Sequence, residues 1–382
     1  MLKKSPKGRD TKVFGKDQKF LYLYFIGDFK MKLIRPSYEI IEQVPGLQGI
    51  YDIIERCGKT SYKSEPKGGE VAKRFVEARA KERHGAVLEF GTVYLTVKVG
   101  SPFYDEFYLE EMQDVRFYAS NKYSKVVEKE ELVEADGKNF GIRVYYITTN
   151  YRVIIENNRL EDIEAYGCDV PSEKHEKRYC VKFITDIGVG REFLRHRVMS
   201  MVQESTRYVN YMKEKFGEQC TFVIPPWIDL PECEDLAFWD GDWVDMNGMK
   251  IVCEDGHTRT SAWLWAMDFA EKQYRVLTND WSHVDDVPEE DKTAWTPQQA
   301  RTILPLATKT EFVLCGFKDA WIHFFRLRSD IAATGKPHPQ AQELANPLRD
   351  EFVERKYITK ENLEHDSFEP FDVCASDTPL KD

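Results

Sequence analysis

The sequence lacks any long apolar run, and this absence excludes a membrane-spanning helix. No stretch of about 18 consecutive apolar residues occurs in the chain, and the mean hydropathy is −0.53. A surplus of positive charge is also missing, because 54 Lys and Arg face 65 Asp and Glu, a net charge of −11. Such a chain repels polyphosphate and anionic lipid, so we expect no nucleic acid and no membrane among its partners.

Cysteine pairs of the CxxC type are missing as well. The eight cysteines are scattered, and no apolar run at the start is flanked like a secretory signal, which favours a reducing, cytoplasmic setting. Cys233, Cys253 and His257 supply at most three zinc ligands, with Glu254 or Asp255 as the fourth. A zinc module stays an alternative that metal analysis tests, and we expect no metal.

What the chain does have is enough apolar content for a folded core, with 42% hydrophobic and 13% aromatic residues among 382. The apolar pattern predicts strands over 31–34, 92–99, 142–151 and 179–184, and helices over 40–57, 69–83, 160–166, 260–277, 297–303 and 311–327. We expect Asp186 to cap a further helix that begins near Gly188, and a loop to follow Pro226 as far as residue 255.

One segment concentrates polar donors. Between Arg191 and Lys213, five Lys and Arg accompany two Glu, a local charge of +3. Because the planar fork of arginine donates two parallel hydrogen bonds to a phosphate, the segment predicts an anion site. The alternative is a solvated helix face whose arginines pair with the surplus acids. The run of Ser, Gln, Glu and Thr beside these arginines favours the ligand surface.

A second cluster lies in the last third of the chain. His323, Arg326 and Arg328 belong to an otherwise aromatic segment that is predicted to be helical. The helical spacing places Arg328 on the same face as Trp321 and Phe324. Arg328 is therefore either a ligand contact or a side chain whose stem lies at the edge of the core.

These residues resemble the motifs of the flavin-dependent thymidylate synthase (ThyX) family. Arg195-His196-Arg197, seven residues and then Ser205 reproduce the family's RHR-x7-S signature. Four other segments resemble the remaining motifs and occur in the family's order: Cys57-Gly-Lys-Thr-Ser61, His84-Gly-Ala-Val-Leu-Glu89, Ala300-Arg-Thr-Ile-Leu-Pro305 and Trp321-x-His323-x4-Arg328.

The resemblance implies an α+β fold, an antiparallel sheet with helices, and a homotetramer that binds FAD at its subunit interfaces. It implies a methyltransferase that converts dUMP to dTMP, with methylenetetrahydrofolate as carbon donor and NADPH as reductant. One catalytic domain then occupies residues 31–348, with family-atypical insertions at about 100–176 and 231–257. Residues 1–30 are an N-terminal extension, and residues 349–382 are an acidic C-terminal tail.

The resemblance also implies the roles of individual residues. Arg328 lies against the uracil, favours ionisation of its ring nitrogen and is the catalytic residue. The implied dUMP contacts are Glu192, Arg195, Gln203, Glu204, Ser205, Thr206, Arg207, Arg301 and Arg328. The implied FAD contacts are His84, Arg195, His196, Arg197, Gln203 and His323. For Ser205 we favour phosphate binding over a nucleophilic role, because no base is identifiable nearby.

Three positions depart from the family pattern. Ala86 replaces a Ser or Thr, Phe317 replaces an Asn, and Asp319 replaces an Arg. An acid in place of arginine weakens a contact with a flavin phosphate unless Lys318 substitutes or the FAD lies differently. The departures favour one alternative, a nucleotide-binding regulatory relative that has lost flavin chemistry.

Overall fold

The computed structural model describes residues 30–100, 108–135, 138–239, 242–245, 247–248, 250–253, 258–282, 287–332 and 335–364. These residues form two compact units. The larger unit contains the described residues of 35–209, 225–227 and 309–364, and the smaller unit those of 30–34, 210–224 and 228–308.

The strands are β1 (Met31–Ile34), β2 (Ser37–Ile41), β3 (Thr92–Val99), β4 (Lys125–Ala135), β5 (Lys138–Asn150), β6 (Arg178–Asp186), β7 (Ser200–Gln203), β8 (Thr221–Val223), β9 (Cys233–Trp239), β10 (Asp242–Val244), β11 (Lys250–Cys253) and β12 (Lys309–Phe317). The helices are α1 (Gly46–Lys59), α2 (Gly69–Lys81), α3 (Gly85–Leu88), α4 (Tyr108–Ser120), α5 (Tyr151–Glu156), α6 (Leu160–Tyr166), α7 (Ile187–Phe193), α8 (Arg259–Thr278), α9 (Pro297–Ala300), α10 (Lys318–Arg328), α11 (Pro339–Glu354) and α12 (Lys360–Glu364).

Two antiparallel sheets organise the larger unit. The strand orders are β2-β6-β12-β7 and β3-β5-β4. One face of the four-stranded sheet packs against an aromatic core that includes Phe183, Phe312, Trp321 and Phe324. The α+β class with antiparallel sheets and helices is therefore confirmed.

The predicted helix over 311–327 is wrong in its first half, because residues 309–317 form β12. This strand is hydrogen-bonded to β6 and β7, and its side chains enter two clusters on opposite faces, Phe312 in one and Val313 in the other. A strand buried on both faces has a continuous apolar pattern, which periodicity does not distinguish from a buried helix. The helix begins at Lys318.

The predicted helix over 40–57 starts too early. Ile40 and Ile41 end β2, and Pro45 is the N-cap residue of α1. The two strand residues match the helical spacing by chance. A proline at the start of a helix costs no hydrogen bond, so Pro45 marks the beginning of the helix rather than its interior.

The block predicted as an insertion, residues 100–176, adds strands to β3. The whole of β3 pairs with residues 143–150 of β5, and β4 pairs with the other edge of β5. The sequence pattern missed β4 and α4, since glutamates and lysines mask the alternation in β4, whose Leu132 is 75% exposed. Residues 136–137, between β4 and β5, lie outside the described residues.

The smaller unit contains a five-stranded sheet of order β11-β10-β9-β1-β8, in which β1 and β8 are parallel. The predicted loop after Pro226 is wrong, because three strands lie within it. They are too short for a periodic signal, but Trp243 is fully buried against Phe238 and Trp265. The predicted helix over 260–277 is α8, and its Phe269 is 56% exposed.

The C-terminal part of the larger unit is helical as far as residue 364. Residues 349–354, which the sequence assigns to the tail, complete α11, and Phe352 and Ile358 are buried in the aromatic core. None of the helices in the described ranges combines the length and the apolar content that a membrane crossing needs.

Cys180 and Cys315 face each other across β6 and β12 and form a disulfide. They are 135 residues apart in the chain. The sequence gives no sign of this bond, because strand pairing and not spacing brings the two cysteines together.

Candidate active site

The arginine-rich segment begins on α7. Asp186 caps this helix, as predicted, because its Oδ1 accepts a hydrogen bond from Val189 N at 2.9 Å. Gly190 lets the helix approach the sheet closely, since an added Cβ would lie 3.2 Å from Thr310 and 3.4 Å from Gln203. Phe193 is buried in the aromatic core. The cap at Asp186, the close approach at Gly190 and the buried Phe193 together fix the position of α7 on the sheet. They therefore also fix the start of the arginine-rich segment that follows.

Arg328, at the end of α10, meets this segment. Its Nε donates to His196 Nε2 at 3.2 Å, its Nη1 to Glu192 Oε2 at 3.1 Å and its Nη2 to the Glu192 carbonyl at 2.8 Å. In the sequence, Arg328 is 132 residues from His196 and 136 residues from Glu192. Two of the five N–H groups of Arg328 donate to no residue in the described ranges.

His196 is a buried, neutral imidazole. Burial, the guanidinium of Arg328 and the nearby His323 lower the pKa of His196 to about 3. Since Nε2 accepts the bond from Arg328, the ring proton is on Nδ1, which is a donor. The ring packs against Phe324, with 5.0 Å between centroids. Its orientation is therefore fixed from two sides.

His323 lies in the same cluster. Its ring centroid is 5.8 Å from that of His196, and burial together with Arg326 and Arg328 lowers its pKa. The structure thus brings four of the sequence-predicted site residues together: Glu192, His196, His323 and Arg328.

The stretch 203–207 is tied to two other segments. Gln203 Nε2 donates to Thr310 Oγ1 at 3.0 Å, and Ser205 N donates to the Ser61 carbonyl at 3.2 Å. Ser205 Oγ accepts the N–H of Arg207 at 3.3 Å. The early serine-containing turn that the sequence singled out therefore lies next to the main motif.

Glu204 differs from its neighbours because it is buried and ion-paired. Its carboxylate lies 3.0 Å from Lys309 Nζ, and only 2% of its side chain is exposed. Arg195, Arg197 and Arg207, in contrast, are exposed. The side chain of Glu204 is therefore closed off from solvent in the single chain, and its contact with dUMP stays a prediction.

Two further predicted site residues are exposed. His84 is exposed, and its Nδ1 is 3.5 Å from the Glu82 carboxylate. Arg301 belongs to the smaller unit, where it begins a 3₁₀ turn after α9 and is exposed. Thr206 is half-buried between Ser205 and Arg207.

Sequence reasoning missed several partners of the motif residues. Lys125 of β4 lies 3.0 Å from the Asp319 carboxylate, and its Nζ is 5.0 Å from the centre of the Phe317 ring. Arg178 Nη2 donates to Ser200 Oγ at 2.9 Å, and burial lowers its pKa to about 10. Spacing cannot predict either contact, since each depends on how the sheets pack.

No group of three or more His, Cys, Asp or Glu side chains that could hold a metal ion exists within the described ranges. The zinc alternative was based partly on Glu254, Asp255 and His257, and these three residues lie outside the described residues. The expectation of no metal stays a prediction.

A family model described as "Thymidylate synthase complementing protein" matches residues 156–355, slightly more than half of the chain. The chain belongs to this family. The match contains both segments that meet at Arg328, and the resemblance to the ThyX family inferred from the motifs is confirmed.

Solved structures similar to this thymidylate synthase family member include the UMP/dUMP methylase PolB from Streptomyces cacaoi, solved with 5-Br UMP and with 5-Br dUMP. The 5-Br UMP structure has 13% identity and a TM-score of 0.35, and the match covers 85% of this chain and 92% of that chain. Thymidylate Synthase X from Helicobacter pylori, solved with FAD and dUMP, has 19% identity, a TM-score of 0.30 and coverage of 49% and 74%. Among curated proteins, none matches the chain significantly.

Proposed function

We propose that the chain is an active flavin-dependent thymidylate synthase. It methylates dUMP to dTMP, with methylenetetrahydrofolate as carbon donor and NADPH as reductant. Family membership supports the reaction class. The observation that carries the proposal is the hydrogen bond between Arg328 and His196, because it unites the arginine-rich motif with the C-terminal cluster.

The geometry of Arg328 suits the role proposed for it. Glu192 and His196 hold the guanidinium, which leaves two N–H groups for a ligand. When a uracil ring nitrogen loses its proton, the ring carbon becomes a better nucleophile, and a fixed cation beside the ring stabilises that negative charge. We propose this electrostatic role for Arg328.

The phosphate of dUMP is proposed to lie at Ser205 and Arg207, with Arg195 and Thr206 as further donors. Ser205 Oγ accepts the N–H of Arg207, so its own proton is available for a phosphate oxygen. In the described ranges, no histidine or carboxylate is hydrogen-bonded to Ser205. This supports phosphate binding rather than a nucleophilic role.

The residues present fit a flavin. We propose that Arg195, His196, Arg197, Gln203 and His323 hold FAD, with His84 at the edge of its site. His196 offers a neutral, oriented Nδ1–H, and the exposed Arg195 and Arg197 suit phosphates. Lys125 neutralises Asp319, so the departure from the family pattern leaves no bare negative charge there. The flavin would supply the hydride chemistry that side chains lack.

We also propose that the protein is a cytoplasmic homotetramer whose sites are completed at subunit interfaces. Val198 lies within the motif and Tyr208 lies just after it, and both of these large side chains are exposed in the single chain. An apolar rim beside a cluster of donors is a surface that a second subunit could cover.

The decisive experiment is a spectrum and an assay of the full chain. The purified protein should be yellow, and it should oxidise NADPH and form dTMP only when dUMP and methylenetetrahydrofolate are both present. Well-folded protein that binds neither FAD nor dUMP would contradict the proposal. The nucleotide-binding relative without flavin chemistry predicts dUMP binding without a flavin band and without turnover.

A further inference from the structure

The ion pair between Glu204 and Lys309 is among the most buried charge pairs of the larger unit. Their side chains are 2% and 8% exposed, and Glu204 Oε2 lies 3.0 Å from Lys309 Nζ. The other carboxylate oxygen of Glu204 is buried and has no hydrogen-bond partner in the part of the chain that the structure describes. Two charges out of water gain little net stability from each other. The pair therefore needs an explanation other than stability.

The pair is the inner end of a row of four alternating charges. Lys309 also contacts Glu311, and Glu311 Oε2 lies 2.6 Å from Lys182 Nζ. The two lysines lower the pKa of Glu311 to about 2. The outer end, at Lys182 and Glu311, borders a cavity of about 470 Å³ that is also lined by Arg56 and Thr60. The outer pair is thus reachable by water, whereas the inner pair is not.

The backbone at Glu204 is fixed as tightly as its side chain. Glu204 N donates to the Glu311 carbonyl at 2.7 Å. On one side, Gln203 is bound to Thr310, and on the other Ser205 N is bound to Ser61. Residue 204 therefore sits between two proposed nucleotide contacts, and a movement of its side chain would displace both.

We propose that Lys309 is a positioning residue for the nucleotide site. Through its buried ion pair with Glu204, it holds the stretch 203–207 in the shape that binds the phosphate of dUMP. Glu204 then acts through this pair and the backbone, and does not touch the nucleotide. The inference rests on the proposed function, since it assumes that this stretch binds dUMP.

The test compares single and double variants of the inner pair in the full chain, with dUMP binding measured by calorimetry. Lys309→Met leaves the carboxylate of Glu204 without its lysine, so we expect dUMP affinity to fall about tenfold or more. Lys309→Met combined with Glu204→Gln removes both charges at similar volume, and affinity should return to within about threefold of the unaltered chain. In turnover, the single variant should raise KM for dUMP and change kcat little.

Lys182→Met is the matched control, because it is the same substitution at the water-accessible end of the row. It should change dUMP affinity by less than about twofold. If Lys309→Met fails to fold, Lys309→Gln takes its place. It removes the positive charge but keeps a hydrogen-bond donor, so the Glu204 carboxylate again lacks its cation and the same rise in KM is expected.

The outcomes separate the two proposals. Folded Lys309→Met, or Lys309→Gln in its place, with unchanged dUMP affinity and KM overturns the positioning role alone. Equal losses in the single and double variants also overturn it, because they mark a general packing defect. Absence of dUMP binding by the unaltered chain overturns the proposed function and this inference with it.

Discussion

Two charged clusters lie on either side of one sheet, and they are built differently. Consecutive residues of β12 point to opposite faces. Thr310 contacts Gln203 on the side of α7, whereas Lys309 contacts Glu204 on the other side. The cluster at Arg328 is half-buried and keeps unused donors. At Lys309 the side chains are buried, and Lys309 and Glu204 form an ion pair with each other.

The comparison distinguishes two roles. The Arg328 cluster can bind a ligand, whereas the Lys309–Glu204 pair can only hold the backbone of the binding site in place. A guanidinium with free N–H groups can stabilise charge that develops on a substrate. A buried ion pair cannot stabilise substrate charge in this way, because its two charges already interact with each other. Charge density in a sequence does not tell these two roles apart, but burial and partners do.

The largest effect should come from the open cluster. Arg328→Ala removes the proposed electrostatic stabilisation at the uracil, so kcat/KM for dTMP formation should fall by about 10²–10³-fold, with the fold retained. Arg326→Ala is the control on the same helix. Its guanidinium donates to the Asn362 carbonyl, and it acts on the cluster through its charge, which lowers the pKa of His323, so Arg326→Ala should keep most of the activity. Equal activity of Arg328→Ala and Arg326→Ala would contradict the electrostatic role proposed for Arg328.

The buried Lys309–Glu204 pair should affect the stability of the fold as well as dUMP affinity. Lys309→Met should lower the free energy of unfolding by about 3–5 kcal/mol, because it removes the partner of a buried carboxylate. Adding Glu204→Gln should recover most of this loss. Urea denaturation of the three proteins measures both steps. A double variant as unstable as the single one would mean that packing, and not charge, limits this site.

Acid should weaken the fold through His196. Its pKa is about 3 when folded and about 6.5 when unfolded. Between these values the unfolded chain binds the extra proton, so the free energy of unfolding decreases as the pH falls below 6.5 and is fully retained above it. From pH 7 to 5.5, His196→Gln should lose about 1 kcal/mol less than the unaltered chain. An equal loss in both proteins would contradict a neutral, buried His196.

The smallest effect concerns Lys125 and Asp319, a partly exposed pair at the start of α10. Lys125→Ala should change stability by less than about 1 kcal/mol. It leaves Asp319 unneutralised, so FAD should bind a few-fold more weakly. Asp319→Asn in the same chain should restore the affinity. Flavin fluorescence titration measures this, and unchanged FAD affinity in Lys125→Ala would place the pair outside the flavin site.

The motif residues were predictable because the family signature places them at fixed spacing on the chain. The meeting of Arg328 with Glu192 and His196 was not visible in the sequence, since it depends on α7 and α10 packing on one face of the sheet. Lys309 gave no signal, because a lysine that starts a strand is usually solvated. The strand at 309–317 was mistaken for a helix, since burial on both faces removes the alternation on which strand prediction depends.

The most direct test of the central claim is to follow a labelled carbon. The full chain, with FAD, NADPH and dUMP, is given methylenetetrahydrofolate labelled at the methylene carbon. We predict that the label appears in the methyl group of dTMP and that Arg328→Ala abolishes this transfer while Arg326→Ala does not. A folded, flavin-loaded protein that transfers no label to dUMP would contradict the account.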